Sequence, residues 1–344
     1  MRAGCGPRQE KQSMWISRTP LRASFLGGGT DYPSYFMKNP GAVLGGTIDK
    51  YVYIQALPLA ALAEQRFRLT YRETESVDDV EQIRHPVVRE ALKHYRWESP
   101  LNIATMSDLP GGTGLGSSSA FTVGFINLLH HMRGIELTRY ELARQAIHME
   151  QNILKENVGV QDQIHAAFGG LARYEFHGET FSIEPLRLTS SRLGRFNACL
   201  TLVYTGAQRS ASQVVDAQEK RTKSGANEDY LREMYEMTRA GAQILEDDGD
   251  DEAALIRFAE LLDHGWRLKR ALSDSVSNAA IDELYIRGKE LGAWGGKLLG
   301  AGGGGFVLFI APPELRPEFE RHFGAANVVP VRLTTTGSIV HDLT

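Results

Sequence analysis

Apolar residues in this chain fall into short runs separated by glycine and polar turns, and the runs differ in period. Runs that alternate, or that are dense in β-branched and aromatic residues, predict strands at Trp15–Arg22, Ala42–Leu57, Arg66–Tyr71, Leu101–Met106, Gly170–Phe176, Ala198–Tyr204, Gly305–Ala311 and Val328–Leu333. Elsewhere the period is helical. Phe121, Phe125, Leu128, Leu129 and Met132 make one apolar face of a helix beginning near Ser118. A second helix is predicted to open at Thr138, with Glu141 three residues on as a capping box, and to run to about Glu156 before Asn157 and Gly159 end it. Three more follow at Asn227–Glu246, Glu252–Leu272 and Asn278–Leu291. Strands and helices mix without regular alternation, which predicts an α+β fold rather than a doubly wound sheet. The polar, weakly periodic stretch HGETFSIEPLRLTSSRLGRF predicts a boundary between Glu175 and Asn197. That gives an extension at 1–13, an N-terminal domain at 14–185 and a C-terminal domain at 186–344.

Composition narrows the picture by exclusion. The 38 basic and 42 acidic side chains leave a net charge of -4, which argues against a nucleic-acid partner. No apolar run reaches the length of a membrane helix, and MRAGCGPRQEKQS at the start has no apolar segment of the secretory kind, so the cytoplasm is expected and Met14 is an alternative start. Cys5 and Cys199, far apart and without ligand-like neighbours, suit a reducing compartment and read as idle thiols.

The chemistry concentrates in glycine loops. Asp108–Ala120, DLPGGTGLGSSSA, joins a predicted strand to a predicted helix. Bare amides and the unpaired N–H groups opening a helix suit such a loop to phosphate, although the lysine of the common P-loop is missing. Glu150 falls in register with Ala143, Ala146, Ile147 and Leu154. A carboxylate on that face is either exposed at its edge or matched by a cation, and magnesium takes few protein oxygens. Asp162, within Gly159-Val160-Gln161-Asp162-Gln163, sits at a helix start and reads as an N-cap or as a second functional carboxylate. Arg22 ends a strand just before the loop Leu26-Gly27-Gly28-Gly29-Thr30-Asp31, whose aspartate is either a turn residue or a binder of hydroxyls. Gly300-Ala301-Gly302-Gly303-Gly304-Gly305 fits GxGxxG, but a strand follows it rather than the helix a dinucleotide needs, so the loop reads as part of the same site, with Lys297 a phosphate contact.

Taken in order, PLRASFLGGGTDY, PGGTGLGSSSA and KLLGAGGGGFVLF resemble the three motifs of the GHMP kinases, over nearly the whole chain after Met14. The resemblance implies a two-lobed fold, an N-terminal ribosomal-protein-S5-like α+β domain and a C-terminal ferredoxin-like α+β domain, with ATP and Mg2+ as cofactors. It implies a nucleotide loop of Pro110, Gly111, Gly112, Thr113, Gly114, Leu115, Gly116, Ser117, Ser118 and Ser119. Ser118 and Glu150 would hold the metal, and Asp162 would be the catalytic aspartate paired with Arg22. Gly28, Gly29, Thr30, Asp31, Gln161, Lys297, Gly302 and Gly303 would face the sugar. Within the superfamily, GVQDQ resembles the GxMDQ of galactokinases, which carry a glutamate and a histidine where this chain has Gly28 and Gly29. Losing those side chains opens room for a longer or phosphorylated sugar. The form PLRxSFxGGGTDxPxYF is similar to D-glycero-D-manno-heptose 7-phosphate kinases and to the kinase part of fucokinases. The first likeness implies phosphorylation of the anomeric hydroxyl of a heptose 7-phosphate, in a pathway to nucleotide-activated heptose for surface polysaccharide. A sugar-1-kinase for an unphosphorylated sugar and a non-catalytic sugar and ATP sensor stay open, as does a homodimer. Lys297, Arg18, Lys50, Arg173 and Arg209 are the cations available for a 7-phosphate, and Tyr71 and Ile83 the walls available for adenine.

Overall fold

The computed structural model describes residues 13–60, 64–207 and 211–343. The expected extension, apart from Ser13, lies outside them with Cys5, as does Arg209.

The first strand is buried over most of its length, its polar residues included. β1 (Trp15–Leu26) runs into the glycine loop, and a single helical turn, α1 (Pro33–Phe36), leads to β2 (Gly41–Pro58). β2 is long enough to change neighbours. Its first residues pair with β6 and its last with β5, and β1 follows it along most of its length. After it come the hairpin β3 (Phe67–Thr70) and β4 (Thr74–Val77), α2 (Pro86–His94) and β5 (Leu101–Ser107). The serine cluster opens α3 (Ser117–His131), followed by α4 (Arg139–His148), α5 (Gln161–Phe168) and the hairpin β6 (Leu171–His177) and β7 (Thr180–Pro185). The rest is mostly helical: α6 (Ser190–Cys199), β8 (Leu200–Tyr204), α7 (Ala211–Lys223), α8 (Glu228–Glu246), α9 (Asp251–Ala271) and α10 (Ala279–Glu290). It closes with β9 (Gly295–Leu298), β10 (Phe306–Ile310), α11 (Arg316–Phe323), β11 (Val328–Pro330) and β12 (Ile339–Asp342).

Two sheets result. One has eight strands, with β12-β1-β2-β5-β3-β4 in order and β6 and β7 branching from β2. The other is an antiparallel β11-β8-β10-β9. The predicted boundary falls between β7 and α6, and the chain's last strand returns to pair with β1 of the first sheet. The larger apolar core reaches both sheets, and in it Phe25, Phe196 and Phe258 meet tilted or edge-on at centroid separations of 5.5–5.7 Å; a second cluster gathers around Trp266 and Phe309.

Two helices depart from the sequence expectation. α3 is buried on every side from Ser119 to Ile126 rather than on one face, because the first sheet lies on one side of it and α4 and α5 on the other. The helix from Thr138 has its capping box, yet it does not continue as α-helix to Glu156. After His148 it widens to a π segment at Met149–Ile153, where Leu154 N–H donates to Met149 O. Such single π turns are frequent at functional sites. Cys199 is buried and free, its thiol pushed up to about 11 by burial.

Candidate active site

A cavity of about 630 Å³ opens where the glycine loops of both halves meet. β1 contributes Arg22 and Ser24, and the loop beyond it Gly28, Gly29, Asp31 and Tyr32. Gly112, Gly114, Gly116 and Ser117 to Ser119 line another wall, Glu150 and residues 155–159 a third, and Lys269, Lys297 and 299–302 close the far side. The three glycine-rich motifs, far apart in the chain, thus share one space.

Arg22 and Asp162 are the hinge of this arrangement. Arg22 is 4% exposed, and its Nε and Nη2 donate to the two carboxylate oxygens of Asp162 at 2.7 and 2.9 Å. Its remaining arm donates to Gly114 O at 2.5 Å, and its backbone N–H to Leu115 O. The fork therefore ties the acid on α5 to the glycine loop itself, with bidentate geometry that fixes the carboxylate plane. Asp162 Oδ2 lies only 3.2 Å from where a Cβ on Gly116 would stand. The opening turn of α3 follows directly and has no side-chain cap, so its N–H groups are left for an anion.

Glu150 is inside, not at the edge of its face. It is 1% exposed, and burial pushes its carboxyl up to about 7. Oε2 accepts from Ser119 Oγ at 2.8 Å and from Gln163 Nε2, while Oε1 is buried without a hydrogen-bond partner. A carboxylate with one oxygen held and the other bare, bordering the cavity, fits a divalent cation that completes its shell with water and phosphate. Ser118, expected beside Glu150, is exposed on the cavity wall, and the hydroxyl on the carboxylate is that of Ser119.

Asp31 is fully buried and its carboxyl is raised by desolvation. Oδ1 accepts from Gly29 N–H at 2.8 Å and Oδ2 from Gln161 Nε2 at 2.9 Å, and Gln161 lines the cavity beside it. Thr30, expected to face the sugar, does not line the cavity. Its hydroxyl is enclosed by the backbone of Gly27 and Ala42 and holds the turn. Pro110, Gly111, Thr113 and Leu115 likewise stand outside the lining. Thr113 donates to Pro110 O, and Leu115 is core, since alternate residues of the loop must anchor it. Gly302 borders the cavity, whereas the Gly303 N–H is spent on Val276 O.

Lys297, expected as a phosphate contact, lines the cavity from a buried position at its base. Its ammonium donates to Phe25 O at 2.8 Å, and burial, with Lys269 and Arg22 nearby, drives its pKa well below the usual range. Among the described residues, the other cations considered are engaged elsewhere. Arg18 lies over the Tyr51 ring, Lys50 is beside Asp49, and Arg173 is buried between Glu175 and Glu184. Tyr71 and Ile83 also lie off the cavity, Tyr71 donating to Glu75 and Ile83 in the core. The residue that sequence reading missed is Lys269. It follows Leu262, Gly265 and Trp266 on the buried face of α9, the same signal of a charge in an apolar register that picked out Glu150.

Two of the three motifs fall within family matches. Residues 83–170 match the GHMP kinases N terminal domain, and 252–328 match GHMP kinases C terminal. The D-glycero-alpha-D-manno-heptose 7-phosphate kinase of Campylobacter jejuni is 31% identical over 317 residues, 86% of this chain and 89% of that protein. The bifunctional fucokinase/GDP-fucose pyrophosphorylase of Arabidopsis thaliana is 25% identical over 92% of this chain, which spans 32% of that longer protein. In fold, the crystal structure of a D-glycero-D-manno-heptose 1-phosphate kinase from Bacteriodes thetaiotaomicron superposes with a TM-score of 0.77 at 23% identity, covering 96% of this chain and 99% of that one.

Proposed function

The chain belongs to the GHMP kinases, and from that premise we propose that it transfers the γ-phosphoryl group of ATP to the anomeric C1 hydroxyl of D-glycero-D-manno-heptose 7-phosphate. The observation that carries the transfer chemistry is the Arg22–Asp162 fork lying against the glycine loop. It holds an acceptor for a hydroxyl proton beside the place where phosphate is cradled. The heptose phosphate is supported by the 31% identical relative and by the bare Gly28 and Gly29, which leave the sugar end of the cavity open.

In this reading residues 14–185 bind the nucleotide and 186–344 close the acceptor side. The loop amides at the start of α3 hold the phosphates and stabilise charge on the group in transfer, the main source of acceleration in this chemistry. Asp162 orients the C1 hydroxyl and takes its proton as the oxygen bonds to the γ-phosphorus and the bond to the bridging β–γ oxygen breaks; the proton then leaves to solvent. Arg22 fixes the carboxylate, and Asp31 with Gln161 accepts and donates to sugar hydroxyls. Glu150, through Oε1, and Ser118 would hold Mg2+, which supplies charge neutralisation between the phosphates. The cytoplasm, where ATP and Mg2+ are abundant, is the proposed place of action.

Asp162→Asn tests the assignment, because it keeps shape and removes the charge and the proton acceptor. Turnover is expected to fall about 100-fold or more with the KM for ATP little changed. Near-wild-type turnover of the variant would show that Asp162 is not the acceptor of the proton.

A further inference from the structure

Lys269 is the one buried cation of this cavity whose head group meets no partner among the described residues. It is 6% exposed, lines the cavity and has no hydrogen bond or ion pair there; burial pulls its pKa below the ordinary lysine value, and Asp31 and Asp162 offset that only in part. An ammonium carries three donors, and leaving them unused away from water is costly. The space it faces is equally specific. A Cβ on Gly28 would stand 3.9 Å from Lys269 Nζ, 3.4 Å from Ser24 Oγ and 3.7 Å from Gln161 Nε2. Ser24 Oγ is itself buried without a hydrogen-bond partner. Gly28 is not among the residues of positive φ, so its missing side chain spares volume rather than backbone strain.

Asp162 is already taken by the Arg22 fork, which leaves the Lys269 ammonium open to an anionic group on the ligand. The three atoms nearest the gap belong to Ser24, Gln161 and Lys269, none of them in the 110–119 loop.

We propose that Lys269 and Ser24, over the gap at Gly28, form a subsite for a phosphate monoester carried by the acceptor sugar, distinct from the phosphoryl group transferred. The inference rests on the reading of the chain as a kinase of a phosphorylated sugar. Lys269 supplies charge-assisted hydrogen bonds and Ser24 a further donor. A side chain at position 28 would fill the place of the phosphate.

Calorimetric titration of the ADP-loaded full chain with D-glycero-D-manno-heptose 7-phosphate and with unphosphorylated D-glycero-D-manno-heptose reads the subsite directly. The wild type should prefer the phosphorylated sugar by about tenfold or more, the scale of a charged hydrogen bond. Lys269→Met should remove most of that preference and leave affinity for the plain sugar and for ADP within about twofold; Lys269→Arg should restore part of it. Gly28→Val, which fills the gap while keeping the lysine, should weaken the phosphorylated sugar more than the plain one. A preference that survives in Lys269→Met places the phosphate elsewhere and overturns the subsite alone. Equal losses for both sugars, or loss of ADP binding, also overturn it. A wild type with no preference, or binding neither sugar, overturns the subsite together with the heptose-phosphate reading.

Discussion

Glu150 shows what a single buried charge costs and what it waits for. Its carboxyl is raised to about 7 against an ordinary value near 4.5, so the folded chain holds a proton there that the unfolded chain releases. In the absence of a cation, that part of stability is full below about pH 4.5 and is lost as pH rises toward 7. Glu150→Gln carries no such charge. Its melting temperature relative to wild type should therefore climb between pH 5 and pH 8 in chelator, and Mg2+ at pH 8 should stabilise wild type but not the variant. Parallel melting curves for the two proteins across that range, with no effect of Mg2+, would contradict the assignment. At this scale the sequence was most legible where a charge breaks an apolar register, as at Glu150, or ends a strand before glycines, as at Arg22. It was least legible where a short polar side chain faces either way: Thr30 and Thr113 turn inward to backbone, and Ser119 rather than Ser118 meets Glu150.

At the scale of elements, the glycine loops pack backbone on backbone. A Cβ on Gly114 would lie 2.4 Å from Leu299 O and one on Gly300 2.5 Å from the Gly114 Cα, both at positive φ. This contact between the two motifs explains why a GxGxxG run precedes a strand: its glycines allow close approach of loops rather than hold a dinucleotide. Gly300→Ala should push the nucleotide loop out of place and raise the KM for ATP several-fold, and steady-state kinetics at saturating sugar would measure it. An unchanged KM would mean that the loop is positioned independently of its partner. The strongly periodic helices and the longer strands were legible, whereas 175–197 was read as a boundary and proved to hold β7 and α6. β7 is a half-exposed hairpin strand, and α6 turns a charged residue inward, since Arg192 is buried on Asp251 and the Leu245 carbonyl. Both features erase the apolar pattern that marks an element. The π segment was equally hidden, because its extra residue per turn leaves the sequence spacing almost helical.

For the whole molecule, the two sheets share a core and a cavity, and the proposed catalytic pair comes from the first half while the two lysines of the floor come from the second. That the three motifs share one site was legible in their order and resemblance, whereas the place of Lys269 beside them was not. In the proposed reading the reaction rests on the Asp108–Ala120 loop with Asp162. The choice of sugar would rest on Gly28, Gly29 and Lys269, and it is the claim on which the rest of the account depends. Incubation of the chain with ATP, Mg2+ and D-glycero-D-manno-heptose 7-phosphate, in parallel with mannose, fucose and galactose, followed by phosphorus NMR of the product, tests it most directly. The account predicts turnover of the heptose phosphate with a second phosphate appearing at C1 and the first unchanged. Phosphorylation of galactose or fucose with none of the heptose phosphate, or a new phosphate at any position other than C1, would contradict it.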